Sequence, residues 1–505
     1  MRSAKYVQRA VGVGLQRNRP PVGLPAVNLK YRHRAAAICP ATIHRPGGVM
    51  HQLARHLSSA LSIASCAYAL LPSLARAQQP SGATLALVGG TLIDGNGATP
   101  VPNSVILMAN GRITALGRVG QLRVPAGATV VNAVGMTLLP GLFDSHVHLM
   151  LVGHGNYAHW DSVYPARLGT DVIPIAAKQS LLHGVTSVCD LGGPLEPLMD
   201  VKRKIDRGEL LGATIYTSGP FLQHAPYPGT EAFRWGINGV VDARAKVNRL
   251  ADAGVSVIKL IDQDEMTMDE VRAIVDEAHK RKLPVVAHAH RPEEIRRGLA
   301  AGVDDFEHTG LATSPDYPAD IMDALRARTA QGNRSPLYWT PTIDVLTNYA
   351  TRRDHPDYVN DTRWYDGLPK DIAADVNASI VRLDTLTYYR FVPNRRPTLA
   401  PKFRQLRESG VRLLIGTDAG VPANFHGYAT PEEMITWVKT YGMDPMETIR
   451  AATFWPALSL GVLDRVGTIE VGKVADIIGV PGNLLTDITL LRRVGLVVKS
   501  GKRVK

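Results

Sequence analysis

The segment PGLFDSHVHL, residues 140–149, decides the fold, because an apolar stretch runs directly into two histidines that are two residues apart. Side chains alternate along an extended chain, so His146 and His148 project from the same face of a strand. Neutral imidazoles are the commonest side-chain ligands of divalent metal ions. The segment therefore predicts a strand that ends at a metal site.

The segments that follow repeat this pattern of short apolar strands separated by helical stretches. The predicted strands cover residues 137–148, 184–191, 213–219, 256–261, 284–290, 304–309, 338–346 and 411–418. Amphipathic helical patterns such as MTMDEVRAIVDEAHKRK (266–282) lie between them. This alternation predicts a (β/α)8 TIM barrel over residues 139–465, with its active site at the carboxyl ends of the strands. A doubly wound open sheet is the alternative that the alternation alone leaves open.

Metal-binding or titratable side chains end most of these predicted strands. They are His146 and His148, Lys259, His288 and His290, His308, and Asp418. An open sheet would spread such residues along an edge, whereas a closed barrel brings them to one point. Their position at the strand ends therefore favours the barrel and predicts a metal site.

The two ends of the chain carry a different pattern. Residues 83–138 and 466–505 combine β-branched residues with glycine-rich turns, which is typical of β-hairpins. We predict that both segments form one small β-sandwich domain beside the barrel.

These motifs together resemble the amidohydrolase superfamily. The resemblance lies in PGLFDSHVHL, the lysine of the fourth strand, the histidines after the fifth and sixth strands, and GTDAG (416–420). The flanking LIDGNG (92–97), GTIEVGKVADIIGV (467–480) and VVKSGK (497–502) are similar to the same superfamily, so the resemblance covers about residues 83–505. It is closest to imidazolonepropionase-like and Xaa-Pro-dipeptidase-like members, which include ochratoxin-hydrolysing enzymes.

The resemblance implies two divalent metal ions, with Zn2+ the expected metal. The implied ligands are His146, His148 and Asp418 for one ion, His288 and His308 for the other, and Lys259 as a bridging, CO2-derived N6-carboxylysine. The residues themselves suit this role of Lys259, because its apolar neighbours lower the pKa of an amine and make its lone pair available.

The expected reaction is hydrolysis of an amide or cyclic-amide C–N bond in a small molecule, such as a non-standard peptide or an acyl-amino acid, through a metal-bridging hydroxide. Asp418 would move the proton, and His290 would polarise the substrate. A dipeptidase, or a lactonase, esterase or phosphotriesterase, is an alternative on the same site. A non-catalytic barrel subunit is disfavoured, because the ligand set is intact.

Loop residues near the strand ends are candidates for substrate binding. They are His224, Tyr227 and Arg234 after the third predicted strand, and His426 after the eighth. His154 and His159 are interpreted as solvated loop histidines. The long connection 348–410 is rich in aromatic residues and is a candidate lid or a contact in a homo-oligomer.

Charge is distributed unevenly along the 505 residues, whose net charge is +12. The first 77 residues hold 11 of the 57 Lys and Arg residues and none of the 45 Asp and Glu residues. The rest of the chain is nearly neutral, which argues against a nucleic-acid partner.

Residues 1–77 have the composition of a leader. Residues 50–77 are arranged as a secretory signal peptide that ends at Ala77, and residues 1–49 are interpreted as an over-extended start. We therefore expect export to the periplasm or the medium, without a membrane span in the mature chain. A lipoprotein attached through Cys66 is the alternative.

Overall fold

The computed structural model describes residues 84–310, 312–332, 336–346, 362–382 and 387–505. The predicted leader, with Cys66 and Ala77, lies outside the described residues, and its role in export stays a prediction.

The strands alternate with helices through the middle of the chain and follow one another directly near its ends. In chain order the strands are β1 (Leu85–Leu92), β2 (Val101–Ala109), β3 (Arg112–Arg118), β4 (Thr129–Asn132), β5 (Met136–Pro140), β6 (Leu142–Val147), β7 (Val185–Asp190), β8 (Thr214–Thr217), β9 (Phe221–Gln223), β10 (Arg234–Gly236), β11 (Ile258–Leu260), β12 (Val285–His288), β13 (Asp305–Glu307), β14 (Tyr338–Thr340), β15 (Arg412–Leu413), β16 (Ile477–Pro481), β17 (Leu496–Lys499) and β18 (Lys502–Arg503).

Most helices lie between strands of the middle segment. They are α1 (Tyr157–Val163), α2 (Ile173–Leu182), α3 (Leu195–Asp206), α4 (Gly239–Ala253), α5 (Met268–Lys280), α6 (Pro292–Ala301), α7 (Ala319–Thr329), α8 (Lys370–Ile380), α9 (Thr387–Glu408), α10 (Ala429–Lys439), α11 (Pro445–Ala451) and α12 (Phe454–Ser459). Across the part of the chain that the structure describes, none of them is both long and apolar enough to cross a bilayer.

The two ends of the chain meet in one mixed sheet of eight strands, in the order β18-β17-β16-β5-β1-β2-β3 with β4 beside β1. The amino-terminal and carboxyl-terminal parts join where β5 pairs antiparallel with β16. Both terminal segments contribute strands to this one sheet, and the predicted two-layer sandwich is not confirmed.

The middle segment forms two parallel sheets, one of β6-β7-β8 and one of β10-β9-β11-β12-β13-β14-β15. The division falls after the predicted third strand, because β8 pairs with β7 whereas β9, which follows it, pairs with β11. Backbone hydrogen bonds span both gaps. Ser256 N–H donates to Thr217 O at 2.8 Å across the first gap, and several bonds cross the second, among them Ser145 N–H to Ile415 O and His148 N–H to Ala419 O, each 2.8 Å long. The architecture is a TIM-barrel-like α/β fold in which the strand pairing is not continuous.

The chain passes from the terminal sheet to the barrel-like part at Gly141, so the predicted strand 137–148 is two strands, β5 and β6. A Cβ atom at Gly141 would lie only 2.1 Å from Thr186 Oγ1, which explains why glycine occupies this position. The first strand of the barrel-like part begins at Leu142, after the residue 139 that the sequence predicted.

An apolar cluster lies beneath the strand ends that carry the candidate ligands. It contains Phe143, Cys189, Leu191, Tyr216, Val257, Val286, Ala457 and Val462. Val257 and Val286 come two residues before Lys259 and His288 and therefore share their faces of the strands. The candidate site thus stands on a dry layer of packed side chains, which restricts its movement.

We predict that the partly buried Lys499 of β17 connects the terminal sheet to the parallel strands. Its Nζ donates to Asp476 Oδ2 at 2.6 Å, to Thr214 Oγ1 at 2.7 Å and to Thr186 O at 2.9 Å. Lys499→Met should lower the free energy of unfolding by about 3 kcal/mol, because it leaves a buried carboxylate without its cation. Urea denaturation measures this loss, and the exposed Lys502→Met is the matched control. Equal stability of the two variants would contradict the prediction.

Candidate metal centre

Five imidazole rings converge at the carboxyl ends of β6, β12 and β13. The ring centroids of His146 and His148 are 5.2 Å apart, and that of His308 lies 4.8 Å from His146. The rings of His288 and His290 lie 4.9 Å and 4.5 Å from that of His308. The structure therefore brings together the five histidines that the sequence placed at the strand ends.

Asp418 joins the first pair of histidines from the eighth strand region. Its Oδ1 lies 3.2 Å from His148 Nε2 and 3.5 Å from His146 Nε2, and the latter nitrogen makes no hydrogen bond with a described residue. Burial alone would raise the pKa of Asp418, but His146 and His148 outweigh it, and the pKa is lowered. An ionised carboxylate facing two ring nitrogens is suited to hold a cation between them.

A second group of ring nitrogens comprises His288, His290 and His308, whose ligand atoms lie within 4.8 Å of one another. Burial is the main cause that lowers the pKa of each of these three histidines well below its usual value. Neutral imidazoles offer a lone pair to a metal ion. The geometry thus admits His290, which the sequence assigned to substrate polarisation, as a candidate ligand as well.

Lys259 lies among these rings at the end of β11 and is fully buried. Its Nζ has no hydrogen-bond partner in the described part of the chain. Burial lowers the pKa of Lys259, against the opposing effects of Glu307 and Asp418. The structure therefore provides a partly dehydrated amine in the position that the sequence reserved for a bridging group.

Two residues that the sequence analysis did not identify orient the histidines. Glu307 Oε2 lies 2.6 Å from His146 Nδ1, and Thr342 Oγ1 lies 2.8 Å from His308 Nδ1. Such partners fix the orientation of a metal-binding imidazole and raise its basicity. Strand alternation would turn Glu307 away from a site that His308 faces, but the φ of +75° at His308 breaks the alternation.

Asp144 ties the first strand to the eighth strand region. Its Oδ1 accepts a hydrogen bond from Thr417 N–H at 3.0 Å, and its Oδ2 accepts from the hydroxyls of Thr417 and Thr430, both at 2.7 Å. Burial raises the pKa of Asp144 to about 6. Because Asp144 precedes His146 and Thr417 precedes Asp418, this carboxyl group sets the distance between the two ligand-bearing segments.

The substrate candidates of the third loop occupy different environments. The Arg234 guanidinium lies 4.9 Å from the centroid of the Tyr227 ring and 5.1 Å from that of Phe221. The Phe221 ring lies in turn 5.8 Å from the His148 ring, so Arg234 and Tyr227 connect to the centre. His224 is exposed and has no described contact with this group.

His426, the substrate candidate after the eighth strand region, makes its contact with a backbone carbonyl inside the protein. His426 is buried, its Nε2 lies 2.9 Å from Leu151 O, and burial lowers its pKa to about 4. This contact anchors the loop after β6, which makes His426 better suited to positioning that loop than to binding substrate.

The long connection 348–410 lies partly outside the described residues, and one of its described aromatic side chains packs near the site. Trp364 is buried, and its ring stacks on that of Phe425 with centroids 4.0 Å apart. The connection thus covers the loop after the eighth strand region. The interpretation of His154 as a solvated residue is wrong, since it is buried beneath this connection's α8 helix and faces Asp375.

Comparisons with known proteins agree with this geometry. The model of the amidohydrolase family matches residues 137–504. An ochratoxinase of Aspergillus niger is 23% identical over 470 residues, which are 83% of this chain and 86% of that protein. An imidazolonepropionase of Geobacillus kaustophilus is 27% identical over 401 residues, which are 75% of this chain and 84% of that protein.

The fold has a solved counterpart in a Xaa-Pro dipeptidase with methionine bound in its active site. That structure has a TM-score of 0.63 and 23% sequence identity, and the match covers 84% of this chain and all of that one (100%). The likeness confirms the TIM-barrel-like α/β fold. Members of the matched family generally bind divalent metal ions, and the groups of His and Asp described above fit such ions.

We predict that Glu307→Gln weakens metal binding by about 10- to 100-fold, because an amide replaces the carboxylate that polarises His146. Competition with a chromophoric chelator measures the affinity. Glu293→Gln, at an exposed position of α6, is the matched control and should bind metal like the unmodified protein. Unchanged affinity in Glu307→Gln would show that the contact with His146 does not support metal binding.

Proposed function

The chain belongs to the amidohydrolase family, and we propose that it is a two-metal hydrolase of amide or cyclic-amide C–N bonds in small molecules. One observation carries the proposal. Five imidazoles, one ionised carboxylate and one buried amine that makes no hydrogen bond with a described residue converge where parallel strands end. A hydrophobic layer beneath them excludes water from below, so the reacting atoms of a substrate must enter from the loop side.

In this proposal the residues divide into two ligand sets around Lys259. The first set is His146, His148 and Asp418, the second is His288 and His308, and the bridge is a carboxylated Lys259. Imidazole and carboxylate donors favour Zn2+ among the common divalent ions. The unpartnered Nε2 of His146 supports this fit, because a buried ring nitrogen without a hydrogen bond is costly unless another group occupies its lone pair.

Carboxylation of Lys259 resolves an electrostatic conflict. An ammonium group would repel two cations, and a neutral amine supplies only one donor atom. When the amine lone pair attacks the carbon of CO2, a C–N bond forms, one N–H proton leaves, and the product is an anionic carbamate with two oxygens. The lowered pKa of Lys259 supports this step, since only the neutral amine has the lone pair.

The remaining residues have separate tasks in hydrolysis. When bound, the ions lower the pKa of water and polarise a carbonyl oxygen. The Asp418 carboxylate accepts a proton from the attacking water and passes it to the leaving nitrogen, a role that suits its lowered pKa and its position between His146 and His148. His290 orients the substrate carbonyl from the opposite side of the ring cluster.

We assign substrate recognition to Arg234 and its aromatic neighbours. The guanidinium donates to Gln223 Oε1 at 3.1 Å and stacks on Phe221 and Tyr227, which leaves part of its planar donor edge for a ligand. Burial raises the pKa of the nearby Asp161 against the opposing effect of Arg234, but the ion pairs within 4.0 Å among the described residues include none between these two side chains. A guanidinium so placed fits an amide that also bears a free carboxylate, such as an acyl-amino acid or a dipeptide.

A screen of the zinc-loaded enzyme tests this function. We expect amides with a free carboxylate to be hydrolysed in preference to their methyl esters and to lactones. Arg234→Gln should raise KM for the carboxylate substrates by about 10-fold or more and leave the esters unaffected, because a charge-assisted hydrogen bond is lost. Arg249→Gln is the matched control, because the exposed Arg249 also stacks its guanidinium on an aromatic ring, that of Trp235. This variant should leave KM unchanged for both the carboxylate substrates and the esters. Absence of any C–N bond hydrolysis across acyl-amino acids, dipeptides and cyclic amides would refute the proposal.

The bridge is tested at Lys259. Lys259→Ala should lower kcat by at least about 100-fold and reduce the metal content, because the two ions lose their shared ligand. Acetate or propionate, which can occupy the vacated space, should restore part of the activity. Lys259→Arg should not respond to these acids, because its guanidinium keeps its charge and fills the space. If Lys259→Ala retains its metals and near-normal turnover without added acid, the bridging role is wrong.

A further inference from the structure

A second group of potential ligands lies apart from the centre described above. His154 belongs to the loop after β6, His159 to the first helix α1, and Asp375 to α8 of the long connection. One ligand atom from each of these side chains lies within 4.8 Å of the other two. His159 Nε2 is 2.8 Å and His154 Nε2 is 3.4 Å from the same oxygen, Asp375 Oδ2. None of the three residues takes part in the proposed reaction.

Of these three residues, His154 has a buried ring nitrogen without a hydrogen-bond partner among the described residues. It is 3% exposed, and its Nε2 is buried and makes no hydrogen bond with a described residue, since the contact with Asp375 lacks hydrogen-bond geometry. Its other nitrogen, Nδ1, lies 3.0 Å from both the carbonyl oxygen and the amide nitrogen of Asn156. When Nδ1–H donates to the carbonyl, the lone pair of Nε2 faces Asp375. This arrangement, with one ring nitrogen on a backbone carbonyl and the other on a cation, is typical of metal-binding histidines.

The distances suit a small transition-metal ion. Ligand atoms placed tetrahedrally at about 2.0–2.1 Å from Zn2+ are about 3.4 Å from one another. The two histidine nitrogens lie at 2.8 Å and 3.4 Å from the carboxylate oxygen, and all three ligand atoms lie within 4.8 Å of one another, so the cluster is close to the spacing that the ion requires. Tyr164 donates its hydroxyl to the same Oδ2 at 2.8 Å and thereby fixes the orientation of the carboxylate.

We infer that His154, His159 and Asp375 bind a divalent transition-metal ion of the Zn2+ type at a site separate from the catalytic centre. The side chains of His159 and Asp375 are 42% and 31% exposed, so water can supply the fourth ligand. Two imidazoles and one carboxylate select such an ion over Mg2+ and Ca2+, which prefer oxygen donors.

The ion would connect the long connection to the rest of the barrel-like part. Its ligands join the loop after β6 and α1 to α8, and three polar contacts already cross the same interface, which is called the seam below. Gly155 N–H donates to Ser379 Oγ at 2.8 Å, Gln179 Nε2 donates to Asp366 O at 2.9 Å, and Arg167 pairs with Asp371. A metal at this seam would hold α8 in place beside the mouth of the candidate active site.

Zinc stoichiometry tests the inference without reference to activity. The protein, His159→Gln and Asp375→Asn are each dialysed against the same chelator-buffered zinc, and their zinc content is measured by elemental analysis. We expect both variants to bind one ion per chain fewer than the unmodified protein. Tyr164→Phe is the matched control, because it removes a hydrogen bond to Asp375 but retains all three ligands, and it should keep the full zinc content.

A crystal of the zinc-equilibrated protein locates the ion independently. We expect an anomalous difference peak at the zinc edge among the three side chains, which disappears in Asp375→Asn. Equal zinc content in the protein and both variants, or no peak at this position, would show that the cluster is a hydrogen-bond network only. Lys259→Ala separates this outcome from a failure of the proposed function: it should lose catalytic metal and keep the ion at this seam.

Discussion

Burial of the Lys259 amine among five imidazoles is the constraint on which the rest of the site depends. A polar group buried without a hydrogen bond costs about 1–3 kcal/mol, and a buried charge costs considerably more. The chain tolerates this cost at a place where the ends of parallel strands bring several ring nitrogens and carboxylate oxygens together. The apolar layer beneath Lys259 offers the amine no hydrogen-bond partner, and in the proposed function metal ions and CO2 are the groups that satisfy it and its neighbours.

Two of the candidate ligands have a strained backbone conformation. His308 and Asp418 have φ values of +75° and +59°, in a region that residues other than glycine seldom occupy and that costs of the order of 1–3 kcal/mol each. Trp339 Nε1 donates to the carbonyl oxygen of His308 at 2.7 Å, and Asp144 holds the residue before Asp418. These contacts maintain the turns that direct both ligands inward, so the surrounding fold stabilises a local geometry that the strands alone would not adopt.

The parts outside the barrel-like segment support the centre from two sides. The terminal sheet is bound through Lys499 to Thr186 and Thr214, near the amino-terminal ends of β7 and β8. The long connection packs Trp364 against Phe425 and carries Asp375 to the loop after β6. Both additions act on the segments next to His146 and His148, which links the stability of the periphery to the geometry of the proposed metal centre.

The sequence by itself determined the strand–helix alternation, the family, and the histidines, lysine and aspartate of the centre. It could do so because period-two and helical patterns, and a motif such as PGLFDSHVHL, are local properties. Only the tertiary structure decided that the terminal strands form one sheet, that Glu307 supports His146 across 161 residues of sequence, and that Asp375 lies beside His154 and His159. Such contacts depend on strand register, on positive φ values and on the packing of helices against the sheet. The local alternation of apolar and polar residues in the sequence does not determine these features.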